Sequence, residues 1–330
     1  MPAELPVTKT TRFFSPKSIF SSSTLSQINF LLIPESLAQQ NGRLWEIVVA
    51  SYIKEMERIV ALEKSDIAAF SLKNFAPFDT LKPFVEEISL IENSSDDTSF
   101  RILPDGSPTI ILGLAKSGLG DDWLKPGRCG LAFGGVQTRT LKKRLPRGTT
   151  GVSVRFKIEG AAPFFPIPLC EIANRHVHLN DLWPGASERL SESLFAAENH
   201  EERIALLQDA LVNRLKSCEG FSSMRIVRAA VKLARQAGIC RVSDLAKRIG
   251  VSDRHLTRAF QHAVGISPKQ FVRILRFQQV VKVAQQNVAL NWAEIAADTD
   301  YYDQSHLIAE FKRLTGMTPT AFTNLQLVFS

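Results

Sequence analysis

The chain has 330 residues, a net charge of +7 and a 45% share of aliphatic, aromatic and cysteine residues, enough for two domains with sizeable cores. No apolar run reaches the roughly 18 residues that span a bilayer, so no membrane partner is expected. Cys129, Cys170, Cys218 and Cys240 have no paired spacing, which argues against a disulfide framework or a close-set zinc site and points to a reducing cytoplasm.

Residues 1–72 read as an N-terminal extension, partly disordered and partly helical. From Leu5 to Pro34 there is no acidic residue and many serines, which formally matches a transit peptide. The favoured reading is an extension upstream of Met56, an alternative initiator. Trp45, Val48, Val49, Tyr52 and Met56 predict a helix over Arg43–Ala69.

Residues 73–220 read first as short strands. Pro104-Asp105-Gly106 marks a turn before the apolar run Thr109–Leu112, and Gly134-Gly135 marks another break. Val152, Val154, Phe156 and Ile158 alternate with Ser153, Arg155 and Lys157, the period of a half-buried strand. Such strands predict an antiparallel barrel or sandwich. Residues 186–217 then turn helical. Ile204, Leu207, Leu211 and Leu215 form an apolar stripe, either packed on the barrel or forming a homodimer seam. His176 and His178 alternate as two metal ligands on one strand face would; a solvated or core pair is the plainer reading, and no metal or cofactor is expected.

Residues 221–330 carry fifteen basic and seven acidic residues, a net +8. Segregated positive charge is the footprint of a polyanion partner. This region contains one pattern twice. Leu256, Phe260, Gly265 and Pro268 map onto Leu307, Phe311, Gly316 and Pro319 at one constant offset, whereas Leu245-Ala246 maps onto Ile295-Ala296 at an offset shorter by one. Each copy, about 242–264 and 292–314, reads as helix, turn, helix: the plan of a double-stranded DNA reader. A basic amphipathic helix over Met224–Ala237 precedes them. Ser243 is a candidate cap, Gly250 the turn residue, and Ser252 the cap of the first recognition helix. On that helix Leu256 and Phe260 face inward while Arg254, Thr257, Arg258 and Gln261 face out. Arginine reads guanine with a two-pronged contact, and threonine can meet a thymine methyl. Ser267-Pro268 opens a long linker helix to about Gln286. It carries Lys269 and Arg273 as candidate phosphate contacts.

In the second copy Asn291 and Glu294 form a candidate capping pair, and Gln304, Ser305 and Ile308 face out. Residues 221–282 carry +11 and residues 283–330 carry −3. The first copy is therefore expected to dominate, with weaker docking by the second through Gln304, Ser305, His306, Lys312 and Arg313.

The stretch Tyr301-Tyr302-Asp303-Gln304-Ser305-His306-Leu307-Ile308, followed by Glu310-Phe311-Lys312-Arg313, Gly316-Met317-Thr318-Pro319 and Phe322, resembles the DNA-binding region of AraC/XylS-family bacterial transcription regulators. The resemblance implies base-reading positions at Arg254, Thr257, Arg258, Gln304 and Ser305, an activator role and RNA polymerase as a partner. Two residues depart from the family pattern: Asp300 where glycine is usual, and Ala309 where arginine is usual, which questions base reading by the second copy. Phe100–Gly106 and Gly134–Arg139 resemble the cupin-like sensor domains that precede such modules, implying a small-molecule effector, dimerisation or both.

The expected fold is thus α+β: an antiparallel β-barrel or sandwich with flanking helices, then an all-α domain of two helix-turn-helix units joined by a long helix. The expected protein is a cytoplasmic, nucleoid-associated regulator with no catalytic residues. The alternatives are an effector-binding protein with degenerate DNA binding and a DNA-directed repair enzyme; the latter lacks an activated cysteine setting.

Overall fold

The computed structural model describes residues 59–62, 70–94, 98–114, 129–216, 222–236, 241–286, 291–323 and 326–329. Among the described residues there are ten strands: β1 (Ile59–Leu62), β2 (Phe70–Phe75), β3 (Val85–Asn93), β4 (Thr98–Ile102), β5 (Thr109–Leu114), β6 (Cys129–Gly134), β7 (Leu141–Leu145), β8 (Thr150–Phe156), β9 (His176–His178) and β10 (Gln326–Phe329). They form a four-stranded sheet, β10-β1-β4-β7, and a six-stranded sheet, β2-β3-β8-β5-β6-β9. Every pairing is antiparallel.

The helices are α1 (Leu179–Leu182), α2 (Ala186–Ala196), α3 (His200–Lys216), α4 (Ser222–Gln236), α5 (Val242–Ile249), α6 (Asp253–Ala263), α7 (Pro268–Gln286), α8 (Trp292–Asp298), α9 (Gln304–Thr315) and α10 (Pro319–Phe322). The α+β arrangement expected from the sequence is the one observed, except that the region read as all-α ends in a strand, Gln326–Phe329, which pairs with β1. Among the described residues no helix is long and apolar enough to cross a membrane.

Part of the Arg43–Ala69 helix expectation is overturned. Ile59–Leu62 is a strand paired with β4 and β10. Its Ile-Val pair is β-branched and suits a pleated surface better than a helix. Residues 43–58 and 63–69 lie outside the described residues, as does the serine-rich stretch before them.

One face of the six-stranded sheet presents Ile88, Leu90, Ile110, Leu112, Val152, Val154 and Phe156 to a core completed by Leu190, Leu194, Ile204, Leu207 and Leu211. The apolar stripe of α3 therefore packs within its own chain. Phe133, Phe156 and Phe165 meet in that core, and Trp183 stacks on Phe165 at 5.6 Å.

The half-buried reading of β8 needs correction. Ser153 and Arg155 are each only 2% exposed, so the strand is covered on both faces. A buried arginine requires a counter-charge. Arg155 Nε finds Asp105 Oδ2 at 3.2 Å, while Asp105 Oδ1 accepts from the Ser107 amide at 2.9 Å.

The helical region has two further cores, and each recruits residues from the strand region. Val136 and Ile158 join Val227, Leu245, Leu256, Phe260 and Phe271 in one. Leu103 joins Phe277, Ile295, Leu307, Phe311 and Phe322 in the other. Four polar links reinforce this packing. Gln278 Nε2 donates to the Pro104 carbonyl at 2.6 Å, Arg228 Nε reaches Glu159 at 3.1 Å, the second arm of Arg228 donates to the Pro83 carbonyl, and the Thr140 amide donates to the Leu314 carbonyl at 2.7 Å. The two stretches with the sensor-like sequence, Phe100–Gly106 and Gly134–Arg139, are thus segments that meet the helices.

A candidate DNA-reading surface

The first unit is α5, a turn, and α6. Leu245 and Ala246 bury the inner face of α5; Leu256, Ala259, Phe260 and Ala263 bury that of α6. Gly250 takes a left-handed conformation (φ 79°) and closes α5 with its amide on Ala246 and Lys247, a position where a Cβ is unfavourable. Ser252 caps α6 by accepting from the His255 amide at 3.2 Å. Ser243 does not cap α5: Arg241 holds that position without a side-chain bond, and Ser243 lies inside the first turn.

Arg254, Thr257, Arg258 and Gln261 are spaced by three, one and three residues, so they share one side of α6. Arg254, Arg258 and Gln261 are exposed and Thr257 is half-buried. Among the described residues no carboxylate pairs with Arg254 or Arg258. Their guanidinium groups are left to solvent and available for bidentate contacts.

The second unit repeats this geometry with one insertion. Asp300 holds the left-handed turn (φ 58°) that Gly250 holds in the first. The Tyr301 amide bonds to Ala296 at 2.9 Å, as the Val251 amide bonds to Ala246 at 3.0 Å. Asp303 then caps α9 by accepting from the His306 amide at 2.7 Å, the role of Ser252. Ser252 and Val251 are adjacent, but Asp303 and Tyr301 are separated by Tyr302. That residue accounts for the offset change seen in the sequence. Tyr302 is 91% exposed, directly before the second recognition helix. Neither it nor the Asp303 cap was singled out from the sequence.

Gln304 and Ser305 stand exposed in the first turn of α9. His306 is exposed but steadied, its ring edge-on to Tyr301 at 5.3 Å and its Nδ1 accepting from the Tyr302 amide at 3.4 Å. The positions matching Arg254, Thr257, Arg258 and Gln261 are Ser305, Ile308, Ala309 and Lys312. Burial pushes the Tyr301 hydroxyl well above the usual tyrosine range, with Glu310 adding to the rise and Arg276 opposing it. Arg276 lies over the Tyr301 ring at 5.2 Å.

α7 joins the units. Ser267 and Gln270 form a reciprocal capping box, the serine accepting from the Gln270 amide and Gln270 Oε1 accepting from the Ser267 amide. Asn291 accepts from the Ala293 amide and donates through its side chain to Glu294 at 2.7 Å. Lys269, Lys312 and Arg313 are exposed. Arg273 is different: its Nε contacts Glu310 at 2.5 Å, tying α7 to α9. Several basic residues of this region are thus occupied within the fold, Arg228 and Arg273 in ion pairs and Arg276 on Tyr301. Among the described residues no group of three or more His, Cys, Asp or Glu side chains could hold a metal, including around His176 and His178.

Residues 245–324 match the family model described as a helix-turn-helix domain. Residues 73–178 match the one described as a domain of unknown function, DUF6597. No curated protein matches the chain. Among solved structures, ToxT from Vibrio cholerae O395 has 10% identity and a TM-score of 0.35 over 81% of this chain and 96% of that one. The structure of ToxT from V. cholerae strain SCE256 with bound unsaturated fatty acid gives 10% and 0.33 over 81% and 94%. The AraC-like transcriptional activator CuxR gives 13% and 0.26 over 67% and 94%. The family match falls on the two capped helix-turn-helix units of equivalent geometry. The C-terminal region of this chain carries a helix-turn-helix domain built as two capped units, similar to the AraC/XylS type.

Proposed function

We propose that the chain is a sequence-specific transcription regulator in which the first unit carries most of the base reading. The observation behind this reading is the outer side of α6. It offers Arg254, Thr257 and Arg258 with no carboxylate partner among the described residues, and arginine at such positions gives about 1–3 kcal/mol of discrimination per base. The matching side of α9 offers Ser305, Ile308 and Ala309, so Gln304 and Ser305 are its remaining base-reading candidates. Lys269, Lys312, Arg313 and Gln261 are assigned to phosphate or secondary contacts. Ser252 and His306 act mainly by holding the helix starts. Arg273 offers DNA only its terminal nitrogens, since its Nε is held by Glu310.

Residues 73–220 are assigned as the sensor and residues 221–330 as the reader, with activation through RNA polymerase as the mode of action. The stripe of α3 is already buried. A homodimer through residues 186–217 therefore has only their outer side, where Phe195 is 59% exposed.

The test is selection of DNA sequences from a random pool by the purified protein, with and without the residues that precede β1. Enrichment of one motif is expected, its strongest positions matching one unit. Failure to enrich any motif, with the protein folded, would replace this reading with an effector-binding protein whose DNA reading has decayed.

A further inference from the structure

A cavity of about 130 Å³ opens between the two regions. Thr138 and Arg139, from the segment between β6 and β7, form one wall; Gln270 and Arg273 of α7 form the second; Arg313 and Leu314 of α9 form the third. Three arginines therefore line one small space, and no carboxylate lines it. Arg139 and Arg313 are exposed and have no ion-pair partner among the described residues. Arg273 gives its Nε to Glu310, and Gln270 uses its Oε1 on Ser267, which leaves the terminal nitrogens of Arg273 and the amide nitrogen of Gln270. One carboxylate, Glu310, offsets one of the three charges from outside the lining.

We infer that this cavity is a binding site for a small oxyanion, a phosphate or carboxylate group borne by a small molecule. Planar guanidinium forks match both groups, and clustered like charge in a partly enclosed space is relieved by an anion. A DNA phosphate is the weaker occupant. Arg313 lies nine residues beyond Gln304 along α9, about 13 Å at the helical rise, so the cavity sits at the end of α9 away from its base-facing start. The Thr140 amide already bonds to the Leu314 carbonyl beside it. An anion held here would bridge the β6–β7 segment to both α7 and α9, so occupancy would stiffen the seam between sensor and reader. The site stands without DNA reading; only its influence on DNA affinity rests on the regulator proposed above.

The experiment is thermal unfolding of the full chain, without DNA, in sodium phosphate or sodium succinate against sodium chloride at equal ionic strength. A saturable rise in midpoint, half-complete at anion concentrations on the order of millimolar, is expected. Phosphate alone, succinate alone, or both identify which oxyanion source the site accepts. Arg139→Gln should abolish the rise while leaving the midpoint in chloride unchanged, because Arg139 is exposed; Arg313→Gln should do the same. No rise in either anion, or the same rise in both variants, overturns the proposal. So does an Arg139→Gln variant that keeps the anion response but loses DNA affinity with a shallower salt dependence, which would make Arg139 a DNA backbone contact.

Discussion

The side-chain amide of Gln278 donates to the main-chain oxygen of Pro104 at 2.6 Å, and Gln278 is only 2% exposed. One bond thus fastens the middle of linker helix α7 to the turn between β4 and β5. The same turn presents Gly106 (φ 80°) to the ring of Phe271, where an added Cβ would lie 3.7 Å from the ring. Gln278 Oε1 has no hydrogen-bond partner, so the amide is retained at some energetic cost. Gln278→Ala removes the bond and strands the carbonyl; a loss of about 1–3 kcal/mol is expected in denaturant unfolding. Hydrogen exchange should quicken in α7 more than in α3. Equal effects on both helices would mean that the bond supports overall stability and not this seam.

Asp105 faces the other way from that turn, into the sheet. Its carboxylate holds the buried Arg155 guanidinium and the Ser107 amide. Removing Asp105 takes away the carboxylate that Arg155 Nε and the Ser107 amide share, so Asp105→Ala should be destabilising, by up to about 3–5 kcal/mol. Asp105→Ala combined with Arg155→Met should recover most of that loss, since an apolar replacement of both partners is often neutral. A double variant as unstable as the single one would show that the pair is needed for packing geometry and not for charge balance.

The turn also marks where the sequence was readable and where it was not. Pro104-Asp105-Gly106 announced a turn by its residue types, and the doubled spacing of Leu256, Phe260, Gly265 and Pro268 announced two equivalent units. Helical and strand periods report which face an element buries against its nearest neighbours. They do not report a second covering layer. Arg155 therefore read as an exposed residue, because nothing local to β8 reveals Asp105 fifty residues earlier. The same limit hid the engagement of Arg273 with Glu310 and of Arg228 with Glu159. A basic residue counted toward a DNA footprint looks identical in sequence whether its partner is phosphate or a carboxylate in the same chain. Ile59–Leu62 was misread for a related reason: its pairing partners lie in β4 and β10, far away in sequence. Tyr302 was legible in principle, since the one-residue change of offset required an insertion between the turn and the cap.

Base reading is expected to be unequal between the units. Arg254→Ala or Arg258→Ala should weaken binding to a selected site by about 1–3 kcal/mol and relax preference at one or two base positions. Ser305→Ala should cost less. Lys312→Ala should weaken binding across all sequences and lower the slope of affinity against salt by about one counterion. Titrations of each variant on the selected site and on a scrambled one, over a range of salt, separate these effects. Equal losses for Arg254→Ala and Ser305→Ala would remove the ranking.

The two turns should respond unequally to substitution of their residues. Gly250 and Asp300 hold the same left-handed conformation, at φ 79° and φ 58°. Space is not the constraint at Gly250, because no atom lies within 4 Å of an added Cβ; the backbone conformation is. Gly250→Ala should therefore destabilise the protein by about 1 kcal/mol, the strain of a left-handed alanine less the entropy it removes from the unfolded chain. Asp300→Gly relieves strain but restores that entropy, and Asp tolerates the left-handed region better than most residues. Its stability should stay within about 0.5 kcal/mol of the parent protein. Denaturant midpoints of the two variants test the equivalence of the turns. A cost-free Gly250→Ala would show that the first turn can reach its recognition helix by another backbone path, and the matched geometry of the two units would lose its energetic basis.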